Sequence, residues 1–211
     1  MLKKLNKNNM GKKILVVVDV QYDFCNPNGA LYVNGADKLY DKIEGIIPDF
    51  DHVIFTADWH PIDHCSFVGN GGQWPMHCVA GSIGAGTPVE FFAKANSFTV
   101  STKGEDSGVE EYGAFSSRHS FAIELDYNFE HIDGELDEAI ENILNSDYEI
   151  VICGVAGDYC VLETLKNIVS HIGTDKINVY LDGVASIDGG EKLNNFIKEN
   201  NIKIYKYESD N

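Results

Sequence analysis

Asp19, Lys103 and Cys160 are a carboxylate, an ammonium and a thiol, each standing where a short strand-like run ends. Together they hold the parts of a nucleophilic thiol centre: a base to take a proton, a cation that favours thiolate, and a sulfur to attack. Cys160 closes the stretch Glu149–Cys160, EIVICGVAGDYC, and VLETLKNIVSHIG follows at once. The apolar run breaks at Gly154 and Gly157, and from Asp158 the apolar spacing turns helical through Val161, Leu162, Leu165, Ile168, Val169 and Ile172. Cys160 therefore falls in a helix's first turn, where free N–H groups and the dipole favour thiolate. From this stretch alone a buried cysteine acting as a small hydrophobe fits equally well, just as Asp19 alone could simply cap a turn.

A second constellation lies in TADWHPIDHCSFVGNGGQWPMHCVAGSIGAG, where Asp58 and His60 are two residues apart and His77 follows a Gly-rich bend. One carboxylate and two imidazoles leave coordination positions open, as a catalytic or substrate-binding divalent ion requires, whereas a structural zinc site is normally closed by four protein ligands. His64 is a candidate to complete or flank the set. Cys65 and Cys78 open another possibility, a structural site of Cys65, Cys78, His60 and His77, in which the strand-edge carboxylate has no role.

The elements that must position these groups alternate. KILVVV at Lys13–Val18 reads as a strand buried on both faces, followed by a loop, Gln21–Ala30, in which Phe24 is an exposed aromatic. Asp37 is placed to cap a helix with Leu39, Tyr40, Ile43, Ile46 and Ile47 on one stripe, closed by Pro48. Further strands are expected at His52–Ala57, Ser97–Ser101, Ile150–Cys153, Ile177–Leu181 and Ile202–Tyr205. Helical stripes run through Leu136–Leu144 and, after a capping box of Asp188 and Glu191, through Leu193, Phe196 and Ile197. Residues 58–94 show no sustained period, and so long a loop usually carries function. This alternation predicts an α/β domain of three layers, α/β/α, with about six mostly parallel strands in Rossmann-like topology. Asp19, Lys103 and Cys160 then meet at the sheet's carboxyl edge, where such folds bind ligands.

With 211 residues, 44% of them apolar, the sequence predicts one domain spanning 1–211, with residues 1–12 a frayed N-terminus. Acidic residues outnumber basic ones 33 to 16, which argues against nucleic acid and anionic membranes as partners. No apolar run is long enough to span a membrane, and the basic start lacks a secretion signal's apolar segment, so a cytoplasmic location is expected. Five cysteines fit reduced thiols better than a disulfide framework. No nucleotide-binding glycine fingerprint is present.

Across nearly its whole length the chain resembles the nicotinamidase/pyrazinamidase branch of the isochorismatase-like cysteine hydrolases. The resemblance is carried by VVVDVQYDF, TADWHPIDHCSF, WPMHCVAGSIGA, STKG and GVAGDYCV. It implies hydrolysis of nicotinamide, or a similar small aryl amide such as pyrazinamide, to the acid and ammonia in NAD salvage. The implied triad is Cys160, Asp19 and Lys103, beside a divalent metal on Asp58, His60 and His77. Zinc is the first candidate, with iron and manganese as alternatives, and family members differ over a fourth ligand such as His64. The resemblance also implies a cis peptide before Ala156, an oxyanion hole from the N–H groups of Ala156 and Cys160, and Phe24 and Trp74 about the substrate ring. Two positions depart from it: Gly157, usually threonine, and Gly113, where serine is commoner. Another amide hydrolase of the superfamily, or a non-catalytic metal-binding domain of this fold, is the alternative; a homo-oligomer is compatible with the sequence.

Overall fold

The computed structural model describes residues 12–116, 122–124 and 148–207. Among the described residues seven strands form one sheet: β1 (Lys13–Val18), β2 (His52–Asp58), β3 (Phe98–Lys103), β4 (Ala122–Glu124), β5 (Glu149–Val155), β6 (Ile177–Ala185) and β7 (Lys203–Ile204). Their order is β4-β3-β2-β1-β5-β6-β7. Neighbours are parallel except β4, which runs antiparallel to β3.

Helices cover both faces. On one, α2 (Leu39–Ile46) and α3 (Val89–Lys94) bring Leu39, Ile43, Ile46 and Phe91 against Leu15, Val17, Phe55 and Val151. On the other, α4 (Cys160–Ile172) and α5 (Glu191–Glu199) pack Val161, Leu165, Ile168, Leu193 and Ile197 over Ile14, Val16, Ile54, Ile150 and Val179. Burial on both faces is why the central strands read as unbroken β-branched runs. The three-layer fold expected from alternation is the one observed, with an antiparallel edge strand added.

Several local expectations change. A single-turn helix, α1 (Tyr22–Cys25), replaces the expected loop after β1 and buries Phe24, which is 5% exposed, together with Cys25. Asp37 lies inside a 3-10 turn, Ala36–Lys38, and accepts the Tyr32 hydroxyl at 2.5 Å instead of capping α2. Gly190, not Asp188, is the N-cap of α5, although Asp188 accepts the N–H groups of Gly190 at 2.7 Å and Lys192 at 3.0 Å. The expected helix at 136–144 and residues 1–11 of the expected frayed N-terminus lie outside the described residues. All five cysteines are free thiols, and among the described residues no helix is long and apolar enough to cross a membrane.

The strand order reverses between β1 and β5, so their carboxyl ends open a crevice at the switch point of the sheet. There Gly154 pairs with Val18 at a φ of 123°. A Cβ at 154 would lie 2.1 Å from the Val18 carbonyl oxygen. Only glycine lets the two strands approach so closely just before β1 delivers Asp19 and β5 enters the turn that leads to Cys160. Gly154→Ala combines overpacking with a left-sided backbone, costs of about 1–3 and 1–2 kcal/mol. The melting temperature is expected to fall by roughly 5–15 °C; thermal unfolding at the wild-type value would show that the strands separate without cost.

Candidate active site

Asp19 follows β1 directly in the left-handed region, φ 49°, which aspartate tolerates better than most residues. Its N–H donates to the Thr56 carbonyl at 3.1 Å, and the Thr56 hydroxyl donates to Asp19 Oδ1 at 2.6 Å. Lys103 ends β3 and runs beneath the end of β2. Its Nζ lies 2.9 Å from Asp19 Oδ2 and 3.7 Å from Cys160 Sγ, and it donates to Asp58 Oδ1. Cys160 opens α4, as its spacing predicted. Asp19 and Lys103 are fully buried and Cys160 is 6% exposed.

Burial dominates the electrostatics. It raises the Asp19 carboxyl above the ordinary carboxylate value against the pull of Lys103, and Asp58 adds to the rise. It pushes the Cys160 thiol well above the usual range; Lys103 opposes this, and Asp19 and Asp58 reinforce it. Desolvation and the two carboxylates thus work against the thiolate that a first helical turn favours. Burial alone would lower the Lys103 ammonium, but the two carboxylates hold it well above its ordinary value.

Asp58, the last residue of β2, turns its other oxygen to the histidines: Oδ2 is 3.5 Å from His60 Nε2 and 3.9 Å from His77 Nε2. Each imidazole bonds a backbone carbonyl through Nδ1, His60 to Gly104 at 2.9 Å and His77 to Pro75 at 2.7 Å. A carbonyl only accepts, so Nδ1 carries a proton on each ring and Nε2 is the nitrogen turned to Asp58, free to serve a cation once it is unprotonated. Donors about 2.0–2.1 Å from one tetrahedral ion lie about 3.3 Å apart, so these three atoms, all buried, fit a divalent cation. Burial would raise the Asp58 carboxyl, but Lys103, His60 and His77 outweigh it and hold it well below the usual range.

His64 does not join them. Its Nε2 bonds the Val109 carbonyl at 3.0 Å, its Nδ1 accepts the Ser66 N–H at 3.2 Å, and its ring stacks on His60 at 4.1 Å. Cys65 and Cys78 also stay out: the candidate cation groups among the described residues contain neither, and Cys78 Sγ turns to the Gly84 carbonyl at 3.8 Å. The four-ligand alternative of two cysteines and two histidines is therefore not formed.

Asp58, His60, His77 and Cys160 open onto one cleft, which Phe24, Trp74, Ala156 and Tyr159 also line. Phe24 reaches it from inside the fold, its ring 5.4 Å from that of His77, correcting its expected exposure. The Trp74 indole N–H donates to the Tyr112 hydroxyl at 3.1 Å, and its ring meets Tyr159 edge-on at 5.2 Å. The peptide bond between Val155 and Ala156 is cis. Gly113 is glycine because α4 presses on it: a Cβ there would lie 2.7 Å from Asn167 Nδ2 and 2.9 Å from the Glu163 carbonyl carbon.

The geometry of this site has counterparts in known proteins. No family model matches the chain. The nicotinamidase of Escherichia coli (strain K12) is 31% identical over 201 residues, 85% of each chain. The chain belongs to the nicotinamidase family. The pyrazinamidase of Pyrococcus horikoshii, solved in complex with zinc, superposes with a TM-score of 0.74 at 30% identity, covering 93% of this chain and 99% of that one. The L. infantum protein PnC1, solved in complex with nicotinate, gives 0.73 at 28% identity and 93% of each chain. The isochorismatase-like fold and the amidohydrolase class follow from this membership.

Two residues of this nicotinamidase-family site escaped the sequence reading. Gln21, fully buried, donates from Nε2 to the carbonyls of Asp58 at 2.8 Å and Ala85 at 2.9 Å, and its Oε1 accepts the Asp58 N–H at 2.8 Å. Its amide thus extends the sheet beyond β2 and holds Asp58 in place. Asp23 Oδ2 accepts the Cys78 N–H at 2.8 Å, fixing the backbone beside His77. Their signal was the polar pair inside VVVDVQYDF, just past a buried strand. Gln21→Ala leaves three backbone groups unpaired, each costing about 1–3 kcal/mol. The folded variant is expected to bind zinc about 10–100-fold more weakly, read by chelator competition; an unchanged affinity would mean that Asp58 needs no such support.

Proposed function

We propose that the chain is a nicotinamidase of the cytoplasm that hydrolyses nicotinamide, and pyrazinamide as a close isostere, to the carboxylic acid and ammonia, serving NAD salvage. The observation that carries this reading is the Lys103 ammonium set among Asp19, Asp58 and Cys160, which joins a thiol centre to the Asp58–His60–His77 group at one cleft. Nicotinamidase and pyrazinamidase relatives support the substrate class.

Because burial pushes the Cys160 thiol up, Asp19 takes its proton as sulfur attacks the carboxamide carbon, and the raised carboxyl makes Asp19 a better base for that step. Lys103 keeps a positive charge beside the developing thiolate. The N–H groups of Ala156 and Cys160 receive the oxyanion, each such donor being worth about 3 kcal/mol in other acyl-transfer sites. Asp19 returns its proton to nitrogen, the C–N bond breaks, and ammonia leaves a thioester on Cys160. Asp19 then takes a proton from water as its oxygen attacks the thioester carbon, and returns it to sulfur as the acid departs. Phe24 and Trp74 hold the planar ring. Asp58, His60 and His77 would hold a divalent ion, zinc by its two imidazoles and carboxylate, which when bound supplies a Lewis-acid contact for the ring nitrogen and ordered water.

Ammonia release from nicotinamide by the purified protein tests this. Turnover is expected, lost with a chelator and restored by zinc. Cys160→Ala is expected to lower kcat by at least about 10³-fold with the melting temperature retained. Substantial turnover by that variant would remove Cys160 as nucleophile, and no turnover of either amide by zinc-loaded protein would move the activity to another amide.

A further inference from the structure

Gly157 stands in the turn between β5 and α4, and unlike Gly154 it is not among the residues of positive φ. Its backbone would accept a side chain; the space would not. A Cβ at 157 would lie 2.0 Å from Ser186 Oγ, 3.3 Å from Ser186 Cβ and 2.8 Å from Val184 Cγ1. Ser186 follows β6 directly, and the same two segments are pinned by backbone bonds. The Gly157 N–H donates to the Ala185 carbonyl at 2.7 Å, and the Ile187 N–H donates to Asp158 Oδ1 at 2.8 Å. Asp158 is itself buried, and Ile187 lines the cleft beside Ala156 and Cys160.

We infer that Ser186 is a positioning residue for the nucleophile turn: from the end of β6 its side chain occupies the place that a side chain at position 157 would take. The pair is reciprocal. A residue at 157 large enough to wedge the turn would do so from within. Here the turn carries no side chain at 157 and the wedge comes from the end of the neighbouring strand β6. Loss of the Ser186 side chain leaves Gly157 only the Val184 methyl on that side, in a turn whose Ala156 and Cys160 amides must hold their aim within a fraction of an ångström. The functional half of this inference rests on the reading of Cys160 as nucleophile and of those amides as the oxyanion hole.

A double-mutant cycle tests it on the full chain loaded with zinc: wild type, Gly157→Thr, Ser186→Gly and the pair together, with melting temperature, kcat and KM for nicotinamide measured on each. Gly157→Thr alone is expected to lower kcat at least about tenfold and to lower the melting temperature. Ser186→Gly alone is expected to lower kcat about three- to tenfold, with KM within about twofold, because the aim of the amides matters more in the transition state than in binding. With the Val184 methyl still close, the pair is expected to recover at least about threefold of the kcat that Gly157→Thr alone loses and part of its melting temperature, a coupling that two independent sites would not produce. Gly157→Ala substitutes for the threonine variant if that one does not fold. A cycle that is additive in both melting temperature and kcat overturns the inference, as does Ser186→Gly with unchanged kcat. If the wild type turns over no nicotinamide, the functional reading fails separately, and the melting-temperature cycle alone decides whether positions 157 and 186 share one space.

Discussion

The site is built around one buried cation. Lys103 is fully enclosed, and its ammonium contacts two carboxylates that are themselves buried, Asp19 and Asp58. An isolated charge at that depth would cost many kcal/mol, and two carboxylates without a cation between them could not both stay ionised. Mutual pairing is what permits all three. The arrangement also divides labour between the carboxylates. Asp58, flanked by Lys103 and two imidazoles, is held well below the usual carboxylate range, whereas Asp19 is raised because its burial, with Asp58 nearby, outweighs the pull of Lys103. One stays an anion fit for a cation; the other is poised to exchange a proton.

That division depends on strand order. Asp19, Asp58 and Lys103 stand at the carboxyl ends of three adjacent parallel strands, β1, β2 and β3, in register so that Asp58 pairs with Lys103. The thiol arrives from the other side of the switch point, at the start of α4, after β5 has passed within van der Waals distance of β1 at Gly154. The histidines come from the long loop, whose backbone borrows sheet-like pairing: His60 bonds across to Cys78 and Ala80, placing His60 and His77 side by side. The loop lacks sequence periodicity because its order comes from these pairings and from Gln21 and Asp23, not from an amphipathic face.

The catalytic candidates were legible because strand ends are legible. A β-branched run that stops at a polar residue marks both the strand and the residue at its carboxyl edge, and that held for Asp19, Asp58 and Lys103. Short elements were not: α1 has four residues and β4 three, too few for any period to register. The third helix, α3, was missed because it is only six residues long and follows a Gly- and Pro-containing stretch. Phe24 read as exposed because its neighbours are turn formers; it is buried because α1 folds it back over the cleft.

By itself the sequence determined the strand and helix alternation, the residue types at the sheet's carboxyl edge, and the motif set that places the chain among the nicotinamidases, since hydrophobic period and local turn chemistry are local properties. Only the tertiary structure decided which nitrogen of each histidine faces Asp58, that His64 flanks that group without joining it, and that Gln21 supports Asp58. It also decided that burial pushes the Cys160 thiol up and that Ser186 stands in the space beside Gly157. Most of these depend on burial or on a distant partner, Gly104 44 residues from His60, Asp58 37 from Gln21 and Val109 45 from His64, whereas the His77 ring is held by the Pro75 carbonyl two residues away and needs the fold only to bring it to Asp58. Desolvation and side-chain hydrogen bonding are set by what the fold brings together, not by neighbours in sequence.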